Sequence, residues 1–269
     1  MHDLDVALEA MHDDLRLPMT TPHPPWRHYL VGRGRLARAA DGSLRLLTED
    51  ATARQYSDAQ LDDYRGRAGE RFIRRPPLRL RLCARFSHEA DALRGTAGFG
   101  FWNYPFAAPP GMPRALWFFF GSAPNDMPLA LGVPGQGWKA ATIDTGRRAA
   151  LALLPLAPFV VPLLRIPVLY RGLWPPLQRA VGVAEVQVRV PMTAWHEYVI
   201  EWGERTSRLL IDGRIVMDEV PSPRGPMCFV AWLDNQYLVA TPQGRFRWGL
   251  LDAPGVQWLA LRDVELAAQ

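Results

Sequence analysis

The chain has 269 residues, 48% of them hydrophobic and 22% charged, a globular balance that excludes wholesale disorder and a collagen-like rod. Its 25 prolines and 22 glycines suit a fold that turns often rather than a helical bundle. The net charge is only +4 and the basic residues are spread singly, with one lysine, Lys139, among them, so no nucleic-acid arm is expected.

Leu4, Leu8, Met11 and Leu15 recur at helical spacing, which predicts a short amphipathic helix over 3–16, stopped by Pro18. Asp3, Asp5, Glu9, Asp13 and Asp14 give this segment the opposite charge to a secretory leader. A cytoplasmic location without a signal peptide is therefore expected. Cys83 and Cys228 stand in apolar surroundings and read as buried thiols in a reducing compartment.

Asp41-Gly42 separates two strand-like runs, and Asp212-Gly213 separates two more, both hairpin signals. Between 78 and 86, leucines alternate with arginines, one face buried and one wet. Further strand-like runs lie at 98–103, 115–120, 183–190, 196–202, 227–233, 245–250 and 256–266. Nearly every element is short and of period two. The class is all-β, two antiparallel sheets packed as a sandwich. Residues 1–49 are expected as an extension of helix plus hairpin packing on a sandwich formed by 50–269. The apolar run 149–164 is too short to cross a bilayer and holds Pro155, Pro158 and Pro162. It belongs to a hydrophobic, partly helical insertion at 147–181.

The run Trp195-His196-Glu197-Tyr198-Val199-Ile200-Glu201-Trp202, followed by Leu209-Leu210-Ile211-Asp212-Gly213-Arg214-Ile215-Val216, resembles a hairpin of the concanavalin A-like lectins and glucanases. It is most similar to that of the laminarinase-like family 16 glycoside hydrolases. Residues 56–60, GTAGFGFWN at 95–103 and WLALRDVEL at 258–266 fall where that family has further strands. The resemblance covers about 50–266 and implies a jelly roll with a ligand groove on one concave face. It also implies an E-x-D-x-(x)-E row of acids on the strand after the Gly/Trp-rich one. Here that strand is Ala115-Leu116-Trp117-Phe118-Phe119-Phe120-Gly121, with no carboxylate, and no such acid run occurs elsewhere in the chain. A retaining glycosidase needs two carboxyl groups about 5–5.5 Å apart. A standard retaining mechanism is therefore not expected, and whether the chain is an enzyme stays open, with non-enzymatic binding the leading expectation.

Strand alternation places Trp117 and Phe119 on one face and Leu116, Phe118 and Phe120 on the other. Either phase leaves an aromatic floor where the resembling enzymes keep acids, with Phe101 and Trp102 beside it. The expected ligand-binding residues are Trp102, Asn103, Trp117, Phe119, Asn125, Trp138, Trp232, Asn235 and Gln236. Asn125-Asp126 and Asp234-Asn235 also read as plain turn-formers. Asp126, Asp234 and Lys139 are the weak catalytic candidates, with Glu89 a further acid. The six histidines are scattered, so no metal is expected, and no G-x-S-x-G or G-x-G-x-x-G run points to a serine hydrolase or a nucleotide. No cofactor is expected. His196 reads as a hydrogen-bonded strand residue.

Between Asp144 and Glu185 there is no acidic residue, while Arg147, Arg148, Arg165, Arg171 and Arg179 are mixed with Leu, Val, Phe and Trp. Three readings follow: a loop packed on its own domain, a lid over the aromatic face, or a peripheral membrane contact. The leading functional expectation is a non-hydrolytic sandwich whose groove takes an apolar or amphipathic small molecule. The alternative partner is a saccharide, bound lectin-fashion or cleaved by relocated carboxylates.

Overall fold

A computed structural model describes residues 26–64, 72–104 and 111–268. The helix expected at 3–16 lies outside the described residues. Most described elements are strands: β1 (Arg27–Val31), β2 (Gly34–Arg38), β3 (Leu44–Ala51), β4 (Asp58–Asp62), β5 (Leu78–Phe86), β6 (Thr96–Trp102), β7 (Arg114–Gly121), β8 (Gly137–Asp144), β9 (Ala184–Gln187), β10 (His196–Trp202), β11 (Thr206–Ile211), β12 (Arg214–Pro221), β13 (Cys228–Asp234), β14 (Gln236–Ala240), β15 (Phe246–Leu250) and β16 (Ala253–Ala268). The insertion holds α1 (Arg148–Leu153), a 3₁₀ turn at Leu154–Leu156, α2 (Ala157–Leu163) and α3 (Pro167–Ala180). No helix among the described residues is long and apolar enough to cross a membrane.

The strands form two seven-stranded sheets and a two-stranded ribbon. The first sheet runs β1-β4-β13-β6-β7-β8-β9 and the second β12-β11-β10-β5-β16-β3-β2, with every paired strand antiparallel. This is the expected all-β sandwich. Strands β1 to β3 are part of it: β1 borders β4, and the β2–β3 hairpin borders β16. The Asp41-Gly42 and Asp212-Gly213 turns both close hairpins, with Gly42 at φ 80° and Gly213 at φ 72°, values a glycine adopts freely.

The two inner faces meet in one core. Leu80, Leu82, Phe86, Tyr198, Ile200 and Trp202 from the second sheet pack against Phe99, Phe101, Leu116, Phe118, Phe120 and Phe229 from the first. The outer faces differ in kind. That of the second sheet is charged, with Arg81 bridging Glu197 at 2.6 Å and Glu265 at 3.5 Å, and Arg208 meeting Asp218 at 2.8 Å. The outer face of the first sheet is apolar at its centre and covered.

Candidate site on the outer face of the first sheet

Register sets the content of this face. Leu116, Phe118 and Phe120 join the inter-sheet core, so their neighbours Ala115, Trp117 and Phe119 point outward and join a second apolar cluster with Ala141, Ile143, Val230 and Trp232. Ala115, Trp117 and Phe119 stand at i, i+2 and i+4, the spacing at which an E-x-D-x-E row would present its acids. The face holds three indoles and a phenyl ring in one connected group. Trp117 stacks on Trp102 at 4.8 Å and on Phe119 at 5.4 Å, and Trp232 lies 5.4 Å from Trp117. Glycines on β6 make this possible. A Cβ on Gly98 would come 2.9 Å from the Trp232 ring, and one on Gly100 (φ 147°) 2.8 Å from Trp117 Cβ. The indoles thus lie across a strand that has no side chains there.

Trp117 is 7% exposed and Phe119 6%. Their cover comes from Met127 and Leu129 in the loop after β7, from Val181 and Val183, and from Leu238 and Ala240 on β14. The helices at 148–180 contribute none of these side chains; the cover is the loop after β7, the turn after α3 and β14. Trp232 donates its indole N–H to Thr96 Oγ1 at 3.0 Å. The Trp117 indole N–H is buried on the same face and has no hydrogen-bond partner. Leaving a buried donor unpaired costs about 1–3 kcal/mol.

Polar groups frame the aromatics on both sides. Lys139 and Glu185, on neighbouring strands, form a buried ion pair of 2.6 Å. Lys139 Nζ also donates to the Met127 carbonyl at 2.9 Å and to that of Pro134 at 3.2 Å. Glu185 Oε2 accepts from the N–H groups of Leu129 and Ala130. Burial pulls the Lys139 ammonium down and pushes the Glu185 carboxyl up, and each opposes the shift of the other. Lys139 is therefore a fastener for the 127–134 loop, bonded to two of its carbonyls and ion-paired with Glu185.

On the opposite flank, β4 turns Asp58, Gln60 and Asp62 outward. Asp62 pairs with Arg27 at 2.8 Å. Asp58 sits directly across from Asp234 in the β4–β13 ladder. Asp234 accepts from Thr96 Oγ1 at 2.8 Å, from Thr96 N at 3.2 Å, from Gln236 N at 3.1 Å and from the Gln236 side chain. Burial nevertheless pushes its carboxyl up to about 6, the hydrogen bonds opposing. Asp58 is pushed well above the usual carboxylate range, first by burial and then by Asp234, while Tyr56 opposes through a hydrogen bond. Like charges side by side cannot both ionise cheaply, so Asp58 is the member that keeps its proton.

The remaining expected residues are distributed by the fold. Trp138 points the other way, into the inter-sheet core, 5.1 Å from Phe86 and 5.7 Å from Phe99. It alternates with Lys139, so the strand that brings the lysine out must carry the tryptophan in. Asn103 clamps a turn, donating to Met112 O and accepting from Arg114 N, each at 2.8 Å. Asn125 donates to Gly135 O and accepts from Leu238 N, tying the ribbon to the loop. Asn235 is fully buried, accepting from Ser57 N and donating to Thr52 O, Gln55 O and Leu251 O. These three asparagines are loop-formers. Asp126 is bonded to Arg245 at 2.6 Å. Glu89 accepts from Met192 N and from Thr193, at the edge of a separate cleft of about 520 Å³. His196 holds Asp212 at 2.6 Å and Pro191 O at 3.1 Å, as a strand residue. Cys228 is buried and Cys83 only partly so, and neither is in a disulfide.

Sequence reasoning missed Asp58, Asp62 and Glu185. The alternation in DAQLD at 58–62 carried the signal for the first two. Glu185 stands alone and gave none. Among the described residues no group of three or more His, Cys, Asp or Glu side chains is placed to hold a metal ion.

No family model matches the chain, and no curated protein does. Among solved structures it is similar to the Bacillus licheniformis β-glucanase, at 9% identity and a TM-score of 0.47, covering 94% of this chain and 96% of the other. It is similar to the laminarinase of Flavobacterium sp. UMI-01 at 10% identity and a TM-score of 0.47, covering 90% and 91%. An immunostimulatory antigen and pseudo β-1,3-glucanase of Mycobacterium tuberculosis is similar at 11% identity and a TM-score of 0.45, covering 87% and 78%. The structural neighbours of this chain are thus β-glucanases and laminarinases with a jelly-roll sandwich.

Proposed function

We propose that the outer face of the first sheet binds an apolar or amphipathic small molecule and carries out no glycoside hydrolysis on β7. The observation that carries the reading is the row Ala115, Trp117, Phe119, with the buried Trp117 N–H lacking a partner. Apolar pockets with a few placed polar groups are the usual form of a small-molecule site. Trp102, Trp117, Phe119 and Trp232 offer the apolar surface, and the unpaired indole N–H offers one directed donor to an acceptor on the ligand. Access runs through the cover formed by Met127, Leu129 and Leu238, whose displacement exposes the rings.

The test is titration with an environment-sensitive apolar probe such as anilinonaphthalene sulfonate, followed by tryptophan quenching. Saturable one-site binding that is lost in Phe119→Glu with a near-native melting midpoint supports the reading. Absence of saturable binding, or binding that Phe119→Glu leaves unchanged, overturns it.

One observation favours a saccharide-cleaving alternative. Asp58 and Asp234 are cross-strand neighbours in contrasting environments, one carboxyl retaining its proton and the other well bonded as a carboxylate. Such a split is how two carboxyl groups divide acid and base roles. Both are 2% exposed. Glucan turnover lost in Asp58→Asn and in Asp234→Asn would establish this alternative in place of the first.

A further inference from the structure

The insertion and the β14–β15 ribbon together form a surface unlike the rest of the molecule. Within 148–180 only Ala150 and Leu164 are buried. Phe159 is 73% exposed and Val168 74%, and Leu154, Leu156 and Ile166 are exposed to half or more. Much of the segment's apolar surface is left uncovered by its own domain. Alongside it, Phe246 is 72% exposed and Trp248 67%. The two pieces touch: Arg165 donates to Gln243 O at 3.2 Å, and a Cβ on Gly244 would come 2.6 Å from Val161 Cγ1. Trp174 donates to Leu129 O at 3.1 Å, which anchors α3 to the loop over the aromatic floor.

Charge points to the occupant. Arg147, Arg148, Arg165, Arg171 and Arg179 lie in a stretch with no acid between Asp144 and Glu185. Among the described residues none of the five reaches a carboxylate within ion-pair distance. Arg247, on the ribbon, lies 5.5 Å over the Tyr237 ring. Guanidinium groups without a carboxylate partner, interleaved with exposed Phe, Trp, Leu and Val, complement a surface that is negative at its face and apolar beneath. The ribbon also links this surface to the floor. Phe246 pairs with Ala240 and Trp248 with Leu238, so each exposed aromatic shares a face with a residue that packs on the Trp117–Trp232 cluster.

We propose that the insertion helices and the β14–β15 ribbon form one docking surface for an anionic lipid bilayer. The chain lies on the bilayer without spanning it, Phe159, Val168, Phe246 and Trp248 entering the headgroup boundary and the arginines meeting lipid phosphates. The proposal stands whether or not the aromatic floor holds a ligand.

The test is flotation of the full-length chain with vesicles of phosphatidylcholine alone and with phosphatidylglycerol mixed in. Binding to the mixed vesicles should be stronger by ~10-fold or more, and salt should weaken it. Phe246→Ser with Trp248→Ser should reduce binding to both vesicles. Arg148→Gln with Arg171→Gln should reduce the gain from phosphatidylglycerol measurably while leaving binding to phosphatidylcholine unchanged. All four side chains are exposed, so both variants should melt as the parent does. Equal binding to neutral and anionic vesicles, or none to either, overturns the proposal. So does self-association that Phe246→Ser with Trp248→Ser abolishes in a chain that ignores vesicles. Binding gained only on deleting 1–25 would also overturn it, transferring the surface to the acidic segment at 3–16.

Discussion

Glu185→Gln should unfasten the cover of the aromatic floor. The substitution removes a charge but keeps an amide oxygen able to accept from Leu129 N and Ala130 N, which Glu185 Oε2 now holds at 3.0 and 3.2 Å. What it strands is Lys139, 1% exposed at its side chain and 2.6 Å from Glu185. Two carbonyls still face the ammonium, but neither carries a full charge. Removing one partner of a buried pair typically costs about 3–5 kcal/mol. At about 2–4 °C per kcal/mol for a chain of this size, the melting midpoint should fall by roughly 6–20 °C. Calorimetry gives that shift, and anilinonaphthalene sulfonate fluorescence below the midpoint should rise as Met127 and Leu129 lift from Trp117 and Phe119. Adding Lys139→Met removes the stranded charge, so the double variant should recover a substantial part of the loss. A midpoint for Glu185→Gln within about 2 °C of the parent refutes the reasoning. So does a double variant that melts below the single one.

Three further outcomes are expected. Purified protein should not hydrolyse β-1,3- or β-1,4-linked glucans, because β7 carries no acid. A reducing-sugar assay checks this, and turnover abolished by Asp234→Asn would contradict it. The carboxyl of Asp234, raised in the folded state, contributes stability that is present below the unfolded value near 4 and lost as pH rises through about 6. That loss is about 3 kcal/mol for a shift of about two pH units. Asp58→Asn removes the neighbouring acid, so denaturant melts from pH 4 to 7 should show a flatter profile than the parent; an unchanged profile would detach Asp58 from Asp234. Asn235→Ala deletes four hydrogen bonds in a fully buried position and strands their partners, so it should cost about 3 kcal/mol or more. Urea titration measures this, and a loss under about 1 kcal/mol would mean that water replaces the side chain.

The class of fold and the location of the aromatic strand were legible because both are local. Period-two alternation in 78–86, the unbroken apolar run at 115–120 and Asp-Gly at two turns depend on neighbours within a few residues, and the strands β5, β7 and β10 followed. The insertion's mixture of proline and apolar residues likewise forecast its short helices. The site was legible only in part. Alternation grouped Trp117 with Phe119, but nothing local said which group faces out, since both sets are large and apolar. It was also silent on Trp138. A tryptophan beside a lysine gives no phase until β7 and β9 fix the register of β8.

The β-sandwich class, the absence of carboxylates on β7 and the acid-free composition of 147–181 can all be read without a structure. These are properties of residue order alone. The fold turns Trp117 and Phe119 outward and Trp138 inward. It also brought Lys139 to Glu185 and Asp58 to Asp234, across 46 and 176 positions of chain. It set the cover at 127–129, 181–183 and 238–240, and it left the insertion helices uncovered. The reason is physical. A strand's alternation offers two equivalent phases, and the choice between them belongs to the strands hydrogen-bonded on either side, which come from distant parts of the chain.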